Sequence, residues 1–288
     1  DRLCLAGGVA LNCVANGHIL RETTVKELFI QPAAGDAGGA MGAALWAWHD
    51  LLDKPRSWKL DDVYLGPGHD ESTIAQTIER YGAVGMRLDR AELLDRTASL
   101  IAEGNVVGWY QGRMEWGPRA LGHRTILGDP RHPEMRDIIN RKIKFREGFR
   151  PFAPSCLEED LAEWFEIDRP SPHMLLVDQV RPEIRSGPRA LKAVTHVDGS
   201  ARIQSVNREQ EPLYYDLIKA FKKRTGVGVV INTSMNVRGE PIVNTPEDAF
   251  LCFMRTNMDV LVMGPYLLQK TDQPPMELQS AAEAFGLD

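Results

Sequence analysis

The sequence predicts an α/β protein built in two parts, and three observations predict it. Short apolar, strand-like runs alternate with amphipathic helical segments along the whole chain. A stretch rich in Pro and Gly interrupts that alternation near residues 54–68. Hydrophobic residues make up 43% of the 288 positions, enough to bury a core, so the composition excludes a disordered chain. The length fits two domains or one larger one.

Residues 1–6 read as a short buried strand. Gly7-Gly8 then turns into a helical pattern carrying Val9, Leu11, Val14, Ile19 and Leu20, followed by a strand at Glu27–Ile30. After a Gly-rich loop a second helix spans Gly38 to Trp46, and packing against a neighbouring element is the ordinary reading of its small residues. The chain has no initiator Met and opens directly on a strand, so it reads as a fragment beginning in mid-domain. Lys54-Pro55-Arg56-Ser57-Trp58 and Leu65-Gly66-Pro67-Gly68 mark a linker. Beyond it come helix 71–81, strand 86–88, helix 91–103 and strand 106–110, then a motif loop at 112–124. Helix 133–143, a Pro-rich crossing at 151–154, helix 158–165 and strands at 174–178 and 193–197 follow. Helix 212–224 leads to a β-branched strand at 227–232 that ends in a Thr-Ser-Met-Asn turn. Helix 246–255 and strand 258–263 close this part, and residues 271–288 read as a helical or frayed tail. There are no internal repeats or low-complexity tracts.

A formal net charge of −6 argues against a general nucleic-acid binder. Local basic runs in an acidic protein point instead to a compact anion site. Cys4, Cys13, Cys156 and Cys252 lack C-x-x-C spacing and lie in apolar contexts, so all four are expected to be buried free thiols. No run of eighteen apolar residues and no signal peptide is found, which makes a cytoplasmic protein with no membrane partner the expectation.

The chemistry concentrates in Gly-Arg-Met-Glu-Trp-Gly-Pro-Arg-Ala-Leu-Gly-His-Arg at 112–124, the basic run from Asn140 to Phe152, and Ile-Asn-Thr-Ser-Met-Asn at 231–236. Arg offers a rigid fork of donors and Lys a mobile point charge, so cations interleaved with Gly, Pro and aromatics suit a phosphate-gripping pocket. Lys144 and Arg150 stand six apart around Gly148, which fits a loop better than one helix face. Ser234 and Asn236 end a strand, where they form a simple turn or meet a ligand at the sheet edge. Gly7-Gly8 is either a tight turn or a cradle of N–H groups for an anion. Asp36 reads as a helix N-cap, Arg202 as an exposed arginine or half of a surface ion pair, and His123 and Arg124 as anion contacts, a cap or a salt bridge.

Together these segments resemble the C-terminal half of bacterial O-carbamoyltransferases, the enzymes of nodulation-factor and antibiotic carbamoylation. The resemblance implies a partial actin-like (ribonuclease H-like) carbamoyl-transfer domain over 1–65 and a YrdC-like α/β domain over 66–270. The second would form carbamoyl-adenylate from carbamoyl phosphate and ATP. In the family, residues matching Arg119, Lys144 and Arg150 meet the donor phosphate, and one matching Arg202 reaches the nucleotide phosphates. Ser234 and Asn236 resemble the Ser-x-Asn of YrdC-like adenylate-forming enzymes, and Gly7, Gly8 and Asn12 a nucleotide-contacting turn. The residue matching Asp36 ligates a divalent metal, expected to be iron, beside an H-x-x-x-H motif this chain lacks, so Asp36 implies a partial site that His18 and His49 do not complete. Roughly the first half of a family member is absent, and residues binding the hydroxylated small-molecule acceptor are expected there. Two alternatives are a threonylcarbamoyl-adenylate synthase acting toward tRNA and a non-enzymatic RNA-binding module. The Gly-Gly-Val-Ala-Leu-Asn and Gly-Asp-Ala-Gly-Gly-Ala segments favour carbamoyl transfer.

Overall fold

Two sheets organise the chain. The computed structural model describes residues 1–285, without the side chains of 281 and 282. The first sheet holds only β1 (Arg2–Leu5) and β2 (Glu27–Ile30), paired in parallel, with α1 (Cys13–Glu22) between them and α2 (Ala37–Trp46) after them. The segment from 53 to 67 has no regular structure and leads into the second, nine-stranded sheet.

That sheet is assembled from β3 (Met86–Arg87), β4 (Val107–Tyr110), β5 (Arg124–Gly128), β6 (Ala153–Leu157), β7 (Leu176–Gln179), β8 (Ser200–Val206), β9 (Val229–Ser234), β10 (Val260–Met263) and β11 (Tyr266–Gln269). Their spatial order is β3-β11-β10-β4-β5-β9-β6-β8-β7. The β10–β4 and β6–β8 pairs are parallel and the remaining pairs antiparallel. Every residue of β4, β5, β6 and β10 is buried, so these strands are covered on both faces. The mixed α/β class expected from the alternating pattern is borne out.

Helices α3 (Glu71–Arg80), α4 (Arg90–Ala102), α5 (Met135–Lys142), α7 (Pro212–Thr225) and α8 (Pro246–Arg255) complete this part, and their ends show why they sit where they do. Asp70 and Asp89 accept the backbone N–H groups of Thr73 and Glu92 at the starts of α3 and α4. Pro212 opens α7 and Gly226 closes it in the left-handed region. Thr245 and Asp248 form a reciprocal capping box around Pro246 at α8. Helices α4 and α7 pack together, and α4, α7 and α8 all lie against the sheet. The two parts meet where α1 crosses β7, with Gly17 so close to the Val177 carbonyl that no side chain would fit.

Several expectations are corrected. Strand β1 is not buried, because its two-stranded sheet is covered only in part. The helical pattern from Val9 divides into a 3-10 turn at Gly8–Leu11 and then α1, since Asn12 caps the α-helix by accepting from Ala15 N–H at 3.1 Å. Helix α2 buries no residue, and a methyl group at Gly39 or Gly42 would meet open space, so these glycines are not packing residues here. The strand expected at 193–197 is a series of turns; Asp198-Gly199 reverses the chain, with Gly199 at φ 82°, and the strand is β8. Helix 158–165 shortens to a 3-10 turn and α6 (Leu161–Trp164). The Pro-rich crossing runs into β6, and Thr233 and Ser234 belong to β9 rather than to a turn. Strands β5 and β11 were not expected: β5 begins at the last residue of the motif loop, and β11 falls between the strand expected at 258–263 and the tail. In the tail, α9 (Ala281–Phe285) is short, and residues 286–288 lie outside the described residues. Cys156 and Cys252 are buried, but Cys4 on the open β1 is exposed and Cys13, first in α1, is half-buried. No helix among the described residues is long and apolar enough to cross a membrane.

Candidate functional site

Four arginines converge on one cavity of about 340 Å³. Arg119 comes from the loop between β4 and β5, Arg146 and Arg150 from the turn after α5, and Arg202 from β8. Cys13 and Val14 of α1 complete the wall, with Asn232 and Ser234 of β9 opposite. Buried amides hold both basic loops in place. Gln204 Nε2 donates to the Leu121 carbonyl at 2.7 Å and Asn232 Nδ2 to that of Ala120 at 3.1 Å, fixing the residues after Arg119. Asn140, on the last turn of α5, donates to the carbonyls of Gly148 at 3.2 Å and Arg150 at 2.9 Å, and accepts from Arg146 Nε at 2.8 Å.

Two of these four charges lack counterions. Among the described residues neither Arg119 nor Arg202 makes a side-chain hydrogen bond or ion pair, and the Nε–H of each is buried without a partner. Burial, reinforced by repulsion from Arg119, pulls Arg202 down to about 10. Arg146 is lowered by burial and then by Arg150, while Arg150 pairs with Glu147 at 3.2 Å. Buried donors left unmet cost free energy, so this arrangement suits an oxyanion that accepts from several forks at once.

Lys144 occupies an adjoining pocket of about 210 Å³ that shares Arg146, Arg150 and Ser234 with the cavity. Its ammonium donates to the main-chain oxygens of Ser234 and Asn236, to Ser234 Oγ at 3.3 Å and to Asn236 Oδ1 at 2.7 Å. Burial pulls its pKa down to about 7; Cys252 and Glu240 act against that fall and Arg146 adds to it. Lys144, Ser234 and Asn236 are thus brought together, with Ser234 Oγ donating to Asn236 Oδ1 at 2.7 Å.

Other expected residues stand elsewhere. Arg202 is not an exposed arginine, because β8 points it into the cavity. Arg124 is fully buried and lies 3.8 Å from the Tyr110 ring centroid. Its guanidinium donates to the carbonyls of Gln111 at 2.6 Å, His123 at 3.2 Å, Asn244 and Gly112 at 3.3 Å each and Pro67 at 3.4 Å. His123 bridges Glu211 at 2.7 Å and the Arg113 carbonyl at 2.5 Å, stacks on Tyr64 at 4.1 Å, and does not line the cavity. Burial opposes its charge, but the Glu211 carboxylate wins and raises its pKa. Neither residue lines the arginine cavity, and both spend their polar atoms on partners within the protein. Gly7, Gly8 and Asp36 line a separate apolar groove of about 730 Å³. The Gly turn does not open an α-helix, since Asn12 is the residue that caps α1. Asp36 is exposed and stands at the N-cap position of α2, but its side chain makes no capping hydrogen bond. No cluster of three His, Cys, Asp or Glu among the described residues could hold a metal, so the residues present do not fit one. Arg146 is the site residue missing from the sequence reading. Its place in the basic run, two residues after Lys144, was the available signal; Phe145 at φ 48° between them is what breaks the helical periodicity and turns it to the cavity.

A family model described as the carbamoyltransferase C-terminus matches residues 98–270, and one described as the carbamoyltransferase N-terminus matches residues 1–45. Nodulation protein NolO of Bradyrhizobium diazoefficiens is 46% identical over 93% of this chain and 49% of its own length. The 3'-hydroxymethylcephem-O-carbamoyltransferase of Streptomyces clavuligerus is 38% identical over 90% of this chain and 47% of its own. The chain therefore spans about half the length of these curated relatives. Among solved structures, full-length HypF in its phosphate- and nucleotide-bound form has a TM-score of 0.44 and 17% identity, covering 61% of this chain and 25% of its own. The C-terminal match contains all four cavity arginines and the Lys144–Ser234–Asn236 cluster, and with it the chain belongs to the carbamoyltransferase family.

Proposed function

We propose that residues 66–270 bind carbamoyl phosphate and ATP and form carbamoyl-adenylate, as part of an enzyme that carbamoylates a hydroxyl of a small-molecule acceptor. On this reading residues 1–65 belong to the transfer unit and 271–288 are a C-terminal tail. One observation carries it: the buried, unpartnered Nε–H groups of Arg119 and Arg202 in a cavity that also holds Arg146 and Arg150. Carbamate is a poor acyl donor until its oxygen is joined to a good leaving group, and adenylate is one. Carbamoyl phosphate gives up its phosphate to water, the carbamate oxygen attacks the α-phosphorus of ATP, and pyrophosphate leaves. The arginines hold the phosphate groups and offset negative charge developing on them. Lys144, Ser234 and Asn236 lie beside that cavity, where the ammonium can orient an oxygen of either substrate. The hydroxyl acceptor follows by analogy with the relative whose name records O-carbamoylation of a hydroxymethyl group. The test is ATP–pyrophosphate exchange in the purified chain with and without carbamoyl phosphate. Exchange that depends on carbamoyl phosphate supports the reading. Calorimetry showing that neither phosphate nor ATP binds would overturn it.

A further inference from the structure

The charged groups that line the cavity are arginines, which only donate; that suits phosphate but leaves the amide end of the donor unread. One lining residue offers the opposite. Asn232 is 1% exposed, and its Nδ2 donates to the Ala120 carbonyl at 3.1 Å and to Gln204 Oε1 at 2.7 Å. Two neighbours fix that orientation. Gln204 spends its own Nε2 on the Leu121 carbonyl at 2.7 Å, and its Oε1 also accepts from Ser155 Oγ at 2.5 Å. Turning the Asn232 amide over would set oxygen against oxygen at both contacts. Its Oδ1 is therefore held on the other side, buried and without a partner.

Resting on the carbamoyl phosphate reading, we propose that Asn232 Oδ1 accepts a hydrogen bond from the carbamoyl –NH₂ and makes this cavity selective for a carbamoyl over an acetyl group. A buried acceptor with no partner costs free energy, and a ligand N–H relieves that cost. A methyl group is nearly isosteric with –NH₂ but donates nothing, so it would leave Oδ1 buried and unmet. Sites built on hydrogen bonds reject such isosteres far better than apolar pockets reject one methylene. The β9 strand serves the donor twice, with Asn232 at the amide end and Ser234 toward the cations.

The experiment compares phosphonoacetamide with acetonylphosphonate, stable analogues that differ only by –NH₂ against –CH₃, with inorganic phosphate as the common reference. The chain is expected to bind the amide at least about tenfold more tightly than the ketone. In Asn232→Leu that ratio is expected to fall close to one. The ratio is the readout because loosening of the Arg119 loop weakens both ligands alike. If the variant does not fold, the ratio in the unaltered chain decides. Equal affinities for the two phosphonates overturn this inference and leave the phosphate site standing. A full ratio retained in a folded Asn232→Leu chain overturns the assignment to this residue. Failure of all three anions to bind removes the reading on which the inference rests.

Discussion

The ammonium of Lys144 lies 2.7 Å from Oδ1 of Asn236 and 3.0 Å from its main-chain oxygen, so a cation that could reach for substrate is anchored first to the end of β9. That anchoring fixes its position, while burial brings its pKa to about 7. Near neutrality the residue therefore exchanges between a charged and a neutral form, as a group that hands protons to or from a reacting oxygen does.

A stability test follows from that value. In the unfolded chain Lys144 keeps its proton up to the ordinary lysine value of 10.5, whereas in the folded chain it loses it near 7. Between those values the unfolded state binds more protons, so stability rises with pH. From pH 7 to pH 9.5 the chain is expected to gain about 2–3 kcal/mol relative to Lys144→Met, read from denaturant midpoints of both proteins. Parallel pH profiles for the two would contradict the buried titration.

Arg202 separates binding from stability. It stands unpaired beside Arg119, which adds to the lowering of its pKa. Arg202→Met is expected to weaken inorganic phosphate and carbamoyl phosphate by about 1.5–3 kcal/mol, one lost charge-assisted contact. The same change removes a buried, uncompensated charge, so the melting temperature should hold or rise. Calorimetry and a thermal melt on one preparation check both halves.

Much of the fold was legible because local chemistry announced it. Helices α3, α4, α7 and α8 carry Asp, Pro or Thr at their starts, and the β-branched Val229–Ile231 marks β9. What was not legible depended on distant partners. Strand β5 begins with Arg124, a residue no strand pattern predicts; five carbonyls from four stretches of chain make its burial tolerable. Arg202 reads as a surface residue until β8 is seen beside β6 and β7. Arg146 stays hidden because its role depends on a left-handed residue at 145. Lys144 is 90 residues from Ser234 and 92 from Asn236 in sequence, and only pairing β9 with β5 and β6 brings them to one place.

Arg124 yields the contrary result to Arg202. Its guanidinium holds the carbonyls of Gln111, Gly112 and His123 together with that of Asn244, so Arg124→Met leaves several buried acceptors unmet. A loss of about 3 kcal/mol or more in folding stability is expected, from unpaired polar groups and disturbed packing against Tyr110. Phosphate affinity of the folded fraction should change little, since the residue does not line the cavity. A folded, fully stable Arg124→Met protein that has lost phosphate binding would return this arginine to the anion site.

Two glycines with left-handed backbones separate strain from collision. Gly226 closes α7 at φ 73° with open space around it, whereas Gly122 stands at φ 120° where an added methyl would overlap the Tyr214 ring. Gly226→Ala is expected to cost about 1 kcal/mol, the strain of an L-residue in that region. Gly122→Ala adds a clash with a fully buried aromatic, and a cost above about 3 kcal/mol is expected. Gly122 also lies in the segment fixed by Glu115 Oε1, which accepts from the backbone N–H groups of Leu121 at 2.7 Å, His123 at 2.8 Å and Arg124 at 3.3 Å. Displacing that segment moves the loop carrying Arg119. Phosphate affinity should therefore fall in Gly122→Ala and not in Gly226→Ala, measured on folded protein at low temperature. Equal destabilisation by the two, with unchanged affinity in both, would show that the Arg119 loop does not depend on the packing of Gly122 against Tyr214.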